Sequence, residues 1–171
     1  MRPFTICHLT PADAADYRAI RLAALQDAPD AFGSTYESEA TRPISAWEER
    51  VQMPGAFGAY LDGKIIGMAR FVQDAGSAKE RHKGSVFAMY VAPEARGQGV
   101  GSALLQAIIE HASGIVEQLR LGVVDTNHAA IRLYQRHGFE IYGTEKRALK
   151  TEDGYFDELL MVRFLQLNEP S

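Results

Sequence analysis

Apolar and polar positions along the chain change period several times, and each change marks an element. Phe4 to Leu9 reads as a short strand, and the next residues carry a helix start. Thr10 is placed as N-cap, Pro11 takes the first helical position and Asp13 lies three residues beyond the cap. Tyr17, Ile20 and Ala24 then recur at helical spacing to about Leu25, and Pro29 ends the helix. Asp30 to Met53 is polar with scattered aromatics; within it, Ile44 to Val51 predicts a second helix, closed by Pro54-Gly55. Phe57–Leu61 and Ile65–Val72, joined by Asp62-Gly63, predict a hairpin. After a charged connection, Ser85–Ala92 is nearly continuous in apolar residues and predicts a central strand buried on both faces. Leu104, Leu105, Ile108, Ile109 and Ala112 mark an amphipathic helix behind Gly97, Gly99 and Gly101. Leu119–Val124 is a further strand, and Asn127–His137 a further helix with Gly138 as C-cap. Ile141–Leu149 and Tyr155–Phe164 close the chain as two strands around Asp153-Gly154.

That order predicts one mixed α/β domain over residues 1–171, without repeat or linker. Composition narrows the class. A formal net charge of −4 makes the chain a poor general binder of nucleic acid or anionic membrane. A single cysteine excludes an internal disulfide framework and a cysteine-cluster metal site, and Cys7 itself reads as packing. No apolar run approaches the ~20 residues of a membrane helix. MRPFTICHLT lacks the apolar stretch of a signal peptide, so the expected location is the cytoplasm.

Chemistry concentrates in Val91-Ala92-Pro93-Glu94-Ala95-Arg96-Gly97-Gln98-Gly99-Val100-Gly101. Here a strand, a glycine-rich turn and a helix N-terminus follow one another. Unpaired N–H groups and the positive end of the helix dipole attract phosphate, glycine permits close approach, and Arg96 adds a donor fork. A nucleotide P-loop is excluded because the turn has neither Lys nor Thr. The dinucleotide pattern G-x-G-x-x-G fails in both registers, ending on Ser102 or Leu104. A ligand-free strand–helix connection is the alternative reading.

The turn resembles the R/Q-x-x-G-x-G/A signature of the GNAT superfamily of N-acetyltransferases. Met89-Tyr90-Val91-x-Pro93 looks like that family's fourth strand, and Asn127-x-x-Ala130-x-x-Leu133-Tyr134-x-x-x-Gly138-Phe139 is similar to its second signature. The resemblance covers about residues 4–165 and implies a mostly antiparallel sheet of about seven strands, splayed between strands four and five and flanked by about four helices. It implies acetyl-CoA as co-substrate, with its diphosphate held by Arg96, Gly97, Gln98, Gly99, Val100, Gly101 and Ser102. It places the pantetheine arm along Met89, Tyr90 and Val91, with Asn127 in contact. The Met89 N–H would face the thioester oxygen, and Tyr134 would protonate the departing thiolate. Read without the resemblance, Tyr134 is a core aromatic.

The match stops at the general base. The two positions where family members carry a glutamate hold Ser85 and Gly122 here, and neither can accept a proton. Glu37 and Glu39, between the first helices, and Tyr155 and Asp157, on the final hairpin, are the candidates for the acceptor side. His82 lies in a charged loop. Arg132 and Arg136 face either the 3′-phosphate of CoA or solvent. No metal-site spacing and no nucleophile elbow occurs, which favours direct amine attack over a covalent acetyl-enzyme. The resulting expectation is an acetyl-CoA-dependent acetyltransferase of a small-molecule amine, acting as monomer or homodimer. A peptide or protein amine as acceptor, or a non-catalytic CoA sensor, is the alternative. Acidic residues in the acceptor cleft would suit a cationic amine.

Overall fold

A computed structural model describes residues 3–166, so the ends of the expected 1–171 domain lie outside the described residues. The chain runs β1 (Thr5–His8), α1 (Ala14–Asp27), α2 (Tyr36–Ala40), α3 (Ile44–Gln52), β2 (Ala56–Leu61), β3 (Lys64–Gln73) and β4 (Lys83–Val91). It continues through α4 (Val100–Ala112), β5 (Gln118–Val124), α5 (His128–Arg136), β6 (Glu140–Thr151) and β7 (Gly154–Phe164). The strands form one seven-stranded sheet in the order β1-β2-β3-β4-β5-β7-β6. This is the mixed α/β architecture expected, and α2 is an addition that its five residues left without a visible period.

Local signals act as predicted. Thr10 N–H donates to Asp13 Oδ2 at 2.8 Å, with a single 3-10 turn before α1. Asp62 and Gly63 both take positive φ, the conformation a two-residue hairpin needs between β2 and β3. A bulge at Ile66, which has no partner between the Ile65–Tyr60 and Gly67–Ala59 pairs, shifts the alternation of β3: Ile66 and Ala69 pack with Leu104, Leu105 and Ile108 of α4, while Ile65 and Met68 pack with Tyr17 and Ile20 of α1 and with Trp47 of α3. Helices therefore cover both faces of the sheet, each over its own apolar cluster.

Every pairing is antiparallel except that of β4 with β5. That parallel ladder is short, joining only Lys83, Gly84 and Ser85 to Gln118, Leu119 and Arg120. Beyond it the two strands diverge. On its other side β4 carries a bulge, with Ala88 and Met89 standing opposite Ala69 and Ala88 at φ +55. The expectation of a strand buried on both faces is corrected here. Phe87 is 54% exposed, and Ala88 and Met89 are only partly covered, because the divergence of β5 opens that side of β4.

Candidate active site

The divergence creates two connected cavities. The first, of about 660 Å³, runs from the β4–β5 gap to the start of α4. Met89, Tyr90 and Val91 line it, as do Arg96, Gly97, Gly99, Val100, Gly101 and Ser102. Gly97 (φ +76) and Gly99 (φ +82, the N-cap of α4) take left-handed backbone, and a Cβ on either would meet only open space. The glycines are thus required by conformation and leave the approach to the turn clear. Ala103 N–H makes the first bond of α4, to Gly99 O at 3.0 Å. The amides of Val100, Gly101 and Ser102 precede it and are the orphan donors of the helix N-terminus.

Arg96 is anchored: its guanidinium reaches Asp27 at 2.6 Å and Val91 O at 3.0 Å. The Arg96 hydrogen bond holds the Asp27 carboxyl below the ordinary range. Gln98 is the one member of the predicted turn outside the cavity lining, and its amide donates to Glu94 O. Ser102 Oγ lies 2.7 Å from His137 Nε2. Arg136 borders the cavity and Arg132 does not. Asn127, which lines the cavity, caps α5 by accepting from Ala130 N–H, and its amide nitrogen has no partner among the described residues.

The second cavity, of about 510 Å³, lies under α1 and α2 and shares Phe32, Met89, Val124, Asn127 and Ala130 with the first. Tyr134 borders it, 6% exposed, packed edge-on against Phe139, and its hydroxyl has no hydrogen-bond partner among the described residues. Burial pushes the phenol well above its ordinary pKa, so it keeps its proton. Glu39 borders it too, but both its oxygens are taken by Arg50, at 2.7 and 3.2 Å. Burial opposes that charge, and the Arg50 pair with the fields of Arg21 and Arg42 outweighs it, holding the carboxyl below the ordinary range.

Other expected acceptor residues stand elsewhere. Glu37 is exposed on α2 and lines neither cavity. Tyr155 is 53% exposed, beneath the cations of Arg147 and Lys150. Asp157 accepts from the Arg147 amide at 2.8 Å and from Lys146 Nζ at 2.9 Å, both on β6. Its neighbour Glu158 has the opposite orientation. Glu158 opposes Val124 across the β5–β7 ladder and extends its carboxylate over Gly122 into the second cavity. Burial, with the charge of Glu145 opposite it, raises its pKa. Strand alternation was the available signal: of Asp157 and Glu158, only one can face the cleft.

The acetyltransferase (GNAT) family profile matches residues 21–139. The chain belongs to this family. The L-amino acid N-acetyltransferase AaaT of Escherichia coli is 30% identical over 158 residues, 89% of this chain and 94% of that one. An L-methionine sulfoximine/L-methionine sulfone acetyltransferase of Pseudomonas aeruginosa is 30% identical over 169 residues, 88% of this chain and 94% of that one. The crystal structure of a GNAT-family acetyltransferase from Streptococcus pneumoniae superposes with a TM-score of 0.80 at 27% identity, covering 96% of this chain and all of that one. This acetyltransferase is acetyl-CoA-dependent and acts on nitrogen. Among the described residues no helix is long and apolar enough to cross a membrane, and no group of three or more His, Cys, Asp or Glu is placed to hold a metal ion.

Proposed function

We propose that the protein transfers the acetyl group of acetyl-CoA to the primary amine of a small molecule, by direct attack while both are bound. The observation that carries this reading is the junction. A cavity ending in a phosphate-binding turn meets a cavity holding ionisable groups at Met89, Asn127 and Ala130. A thioester laid along β4 brings its carbonyl to that junction. The pantetheine arm would pair with the backbone of Met89 and the N–H of Val91, whose carbonyl is already held by Arg96, and the diphosphate with the Gly97–Ser102 amides.

Three groups then divide the work. The Met89 N–H, released from the β5 side of the ladder, donates to the thioester oxygen as negative charge develops there. Glu158 takes the proton of the incoming amine, and its raised pKa brings a carboxylate closer to that task. The nitrogen lone pair attacks the carbonyl carbon, the C–S bond breaks, Tyr134 gives its proton to the sulfur as it leaves, and the second nitrogen proton, lost as the amide forms, passes to solvent while the tyrosine is reprotonated. An acceptor cavity of about 510 Å³ suits a metabolite-sized amine. Thiol release from acetyl-CoA across an amine panel tests the reading. Amine-stimulated release is the expected result, and cofactor binding without such release from any amine would refute it.

A further inference from the structure

The acceptor cavity is not the acidic cleft that the overall charge of the chain suggested. Arg21 of α1, Arg50 of α3 and Arg70 of β3 all line it, against the carboxylates Glu39 and Glu158. Arg50 and Glu39 satisfy each other in a two-bond fork, and the Arg50 guanidinium also lies 4.7 Å above the Trp47 ring. Arg21 and Arg70 have no such carboxylate. Among the described residues neither donates a hydrogen bond or makes an ion pair, and Arg21 is merely seated 4.9 Å over Phe32. Burial pulls the Arg21 pKa down against the opposing influence of Tyr17 and Glu39, and the fields of Arg50 and Arg70 add smaller repulsions in the same direction as burial. Two partly buried guanidinium groups facing one concave space, with their forks empty, form a receptor for a bidentate anion.

We propose that Arg21 and Arg70 bind the carboxylate of the acceptor, so that the substrates are amino-acid-like zwitterions and not polyamines. This rests on the acetyltransfer reading above and names the substrate class of that same site. The arrangement is polar in the required sense. Arg21 and Arg70 approach from the α1 and β3 side, whereas Glu158 and Tyr134 approach from β7 and α5, with β4 between them in the sheet. A zwitterion lying across β4 gives its anionic end to the arginines and its amine to Glu158 and the thioester. A polyamine would instead set a second ammonium group against two unpaired guanidinium groups, which disfavours it.

The test compares matched pairs: α-amino acids and ω-amino acids against the amines left by removing their carboxyl groups, with spermidine alongside. In steady-state kinetics the acids are expected to exceed the matched amines at least tenfold in kcat/KM. Arg70→Gln and Arg21→Gln should each reduce that ratio at least fivefold, mainly through KM of the acid, with Arg70→Lys recovering part of it. Circular dichroism and acetyl-CoA affinity of the variants confirm that the fold and the cofactor site persist. Calorimetric titration of the CoA-loaded protein with the same acids and amines reads binding without turnover. Preferential binding of the acids, lost in Arg70→Gln, upholds the subsite even if no amine were acetylated, an outcome that would refute only the acetyltransfer reading. Equal binding of acids and matched amines, or efficient acetylation of spermidine, overturns the proposal. The ω-amino acid arm reports whether the carboxylate adjoins the reacting amine or lies at the far end of the acceptor.

Discussion

A Cβ on Gly122 would lie 2.7 Å from Oε2 of Glu158. The bare backbone of β5 and the carboxylate of β7 are therefore two halves of one arrangement. At a position where the family resemblance leads to the expectation of a glutamate, this chain keeps a glycine, and the adjoining strand delivers a carboxylate over it. Glu158→Gln should lower kcat by roughly 10²–10³ if the group abstracts the amine proton. The base works only when deprotonated, and burial raises its pKa. Activity should consequently fall as pH drops through that raised value, and the acid limb should vanish in the variant. Gly122→Ala should lower kcat with little change in Tm, because the displaced atoms are the free end of a side chain. Steady-state pH profiles and thermal unfolding check both.

Tyr134→Phe removes only the hydroxyl, leaving the ring against Phe139. A drop in kcat of about 10- to 100-fold is expected, with acetyl-CoA affinity retained. Because burial holds the phenol protonated above its ordinary pKa, the wild type should show no loss of its acid up to pH 10. Equal turnover by the variant would remove Tyr134 from the reaction.

Gly99→Ala tests the turn through its backbone. At φ +82 a side chain costs about 1–3 kcal/mol, although nothing obstructs it. The KM for acetyl-CoA should rise about tenfold, more than kcat falls, since that cost corresponds to roughly that factor in affinity. Gly63→Ala is the matched control: its φ is +78 with equally open space, in a hairpin turn outside both cavities. It should lower Tm and leave the KM for acetyl-CoA as in the wild type.

Glu39→Gln breaks the fork to Arg50, whose partners have side chains only 3% and 20% exposed. A loss of about 2 kcal/mol in urea unfolding at pH 7 is expected. The folded pKa of Glu39 is depressed, so the pair contributes fully above the unfolded value of about 4.3 and is lost as pH falls through the lower folded value. The stability difference between wild type and variant should accordingly shrink below about pH 4.

Much of the architecture was legible because local chemistry agreed with the global fold. Thr10 and Asp13, the Asp62-Gly63 turn, the apolar stripe of α4 and Gly138 at φ +82 each mark a boundary that the structure keeps. The glycine-rich turn into α4 was legible for the same reason, being contiguous in sequence. The acceptor side was not. Arg21, Arg50, Arg70 and Glu158 come from four elements, and only the packing of α1 and α3 on the sheet and the insertion of β7 beside β5 bring them to one cavity. Nor does composition report where charges meet: an acidic chain encloses a cavity in which arginines outnumber carboxylates. The apolar run of β4 misled for a related reason. Val86 packs in the cluster under α4 and Tyr90 in the cluster under α1 and α3, so the run records those contacts and not the gap that β5 leaves along Phe87–Met89.

The short β4–β5 ladder leaves a sheet edge in the middle of the protein rather than at its rim. Exposed edges are ordinarily a hazard, since any extended chain can add to them. Here the edge lines a cavity that the first turns of α4 and α5 also border. On the proposed reading, a bound pantetheine would add hydrogen bonds along this edge and extend the sheet from outside the chain. Saturation with CoA at 100 times its Kd should add about 2.7 kcal/mol to stability. Amide exchange at Met89–Val91 should slow in step.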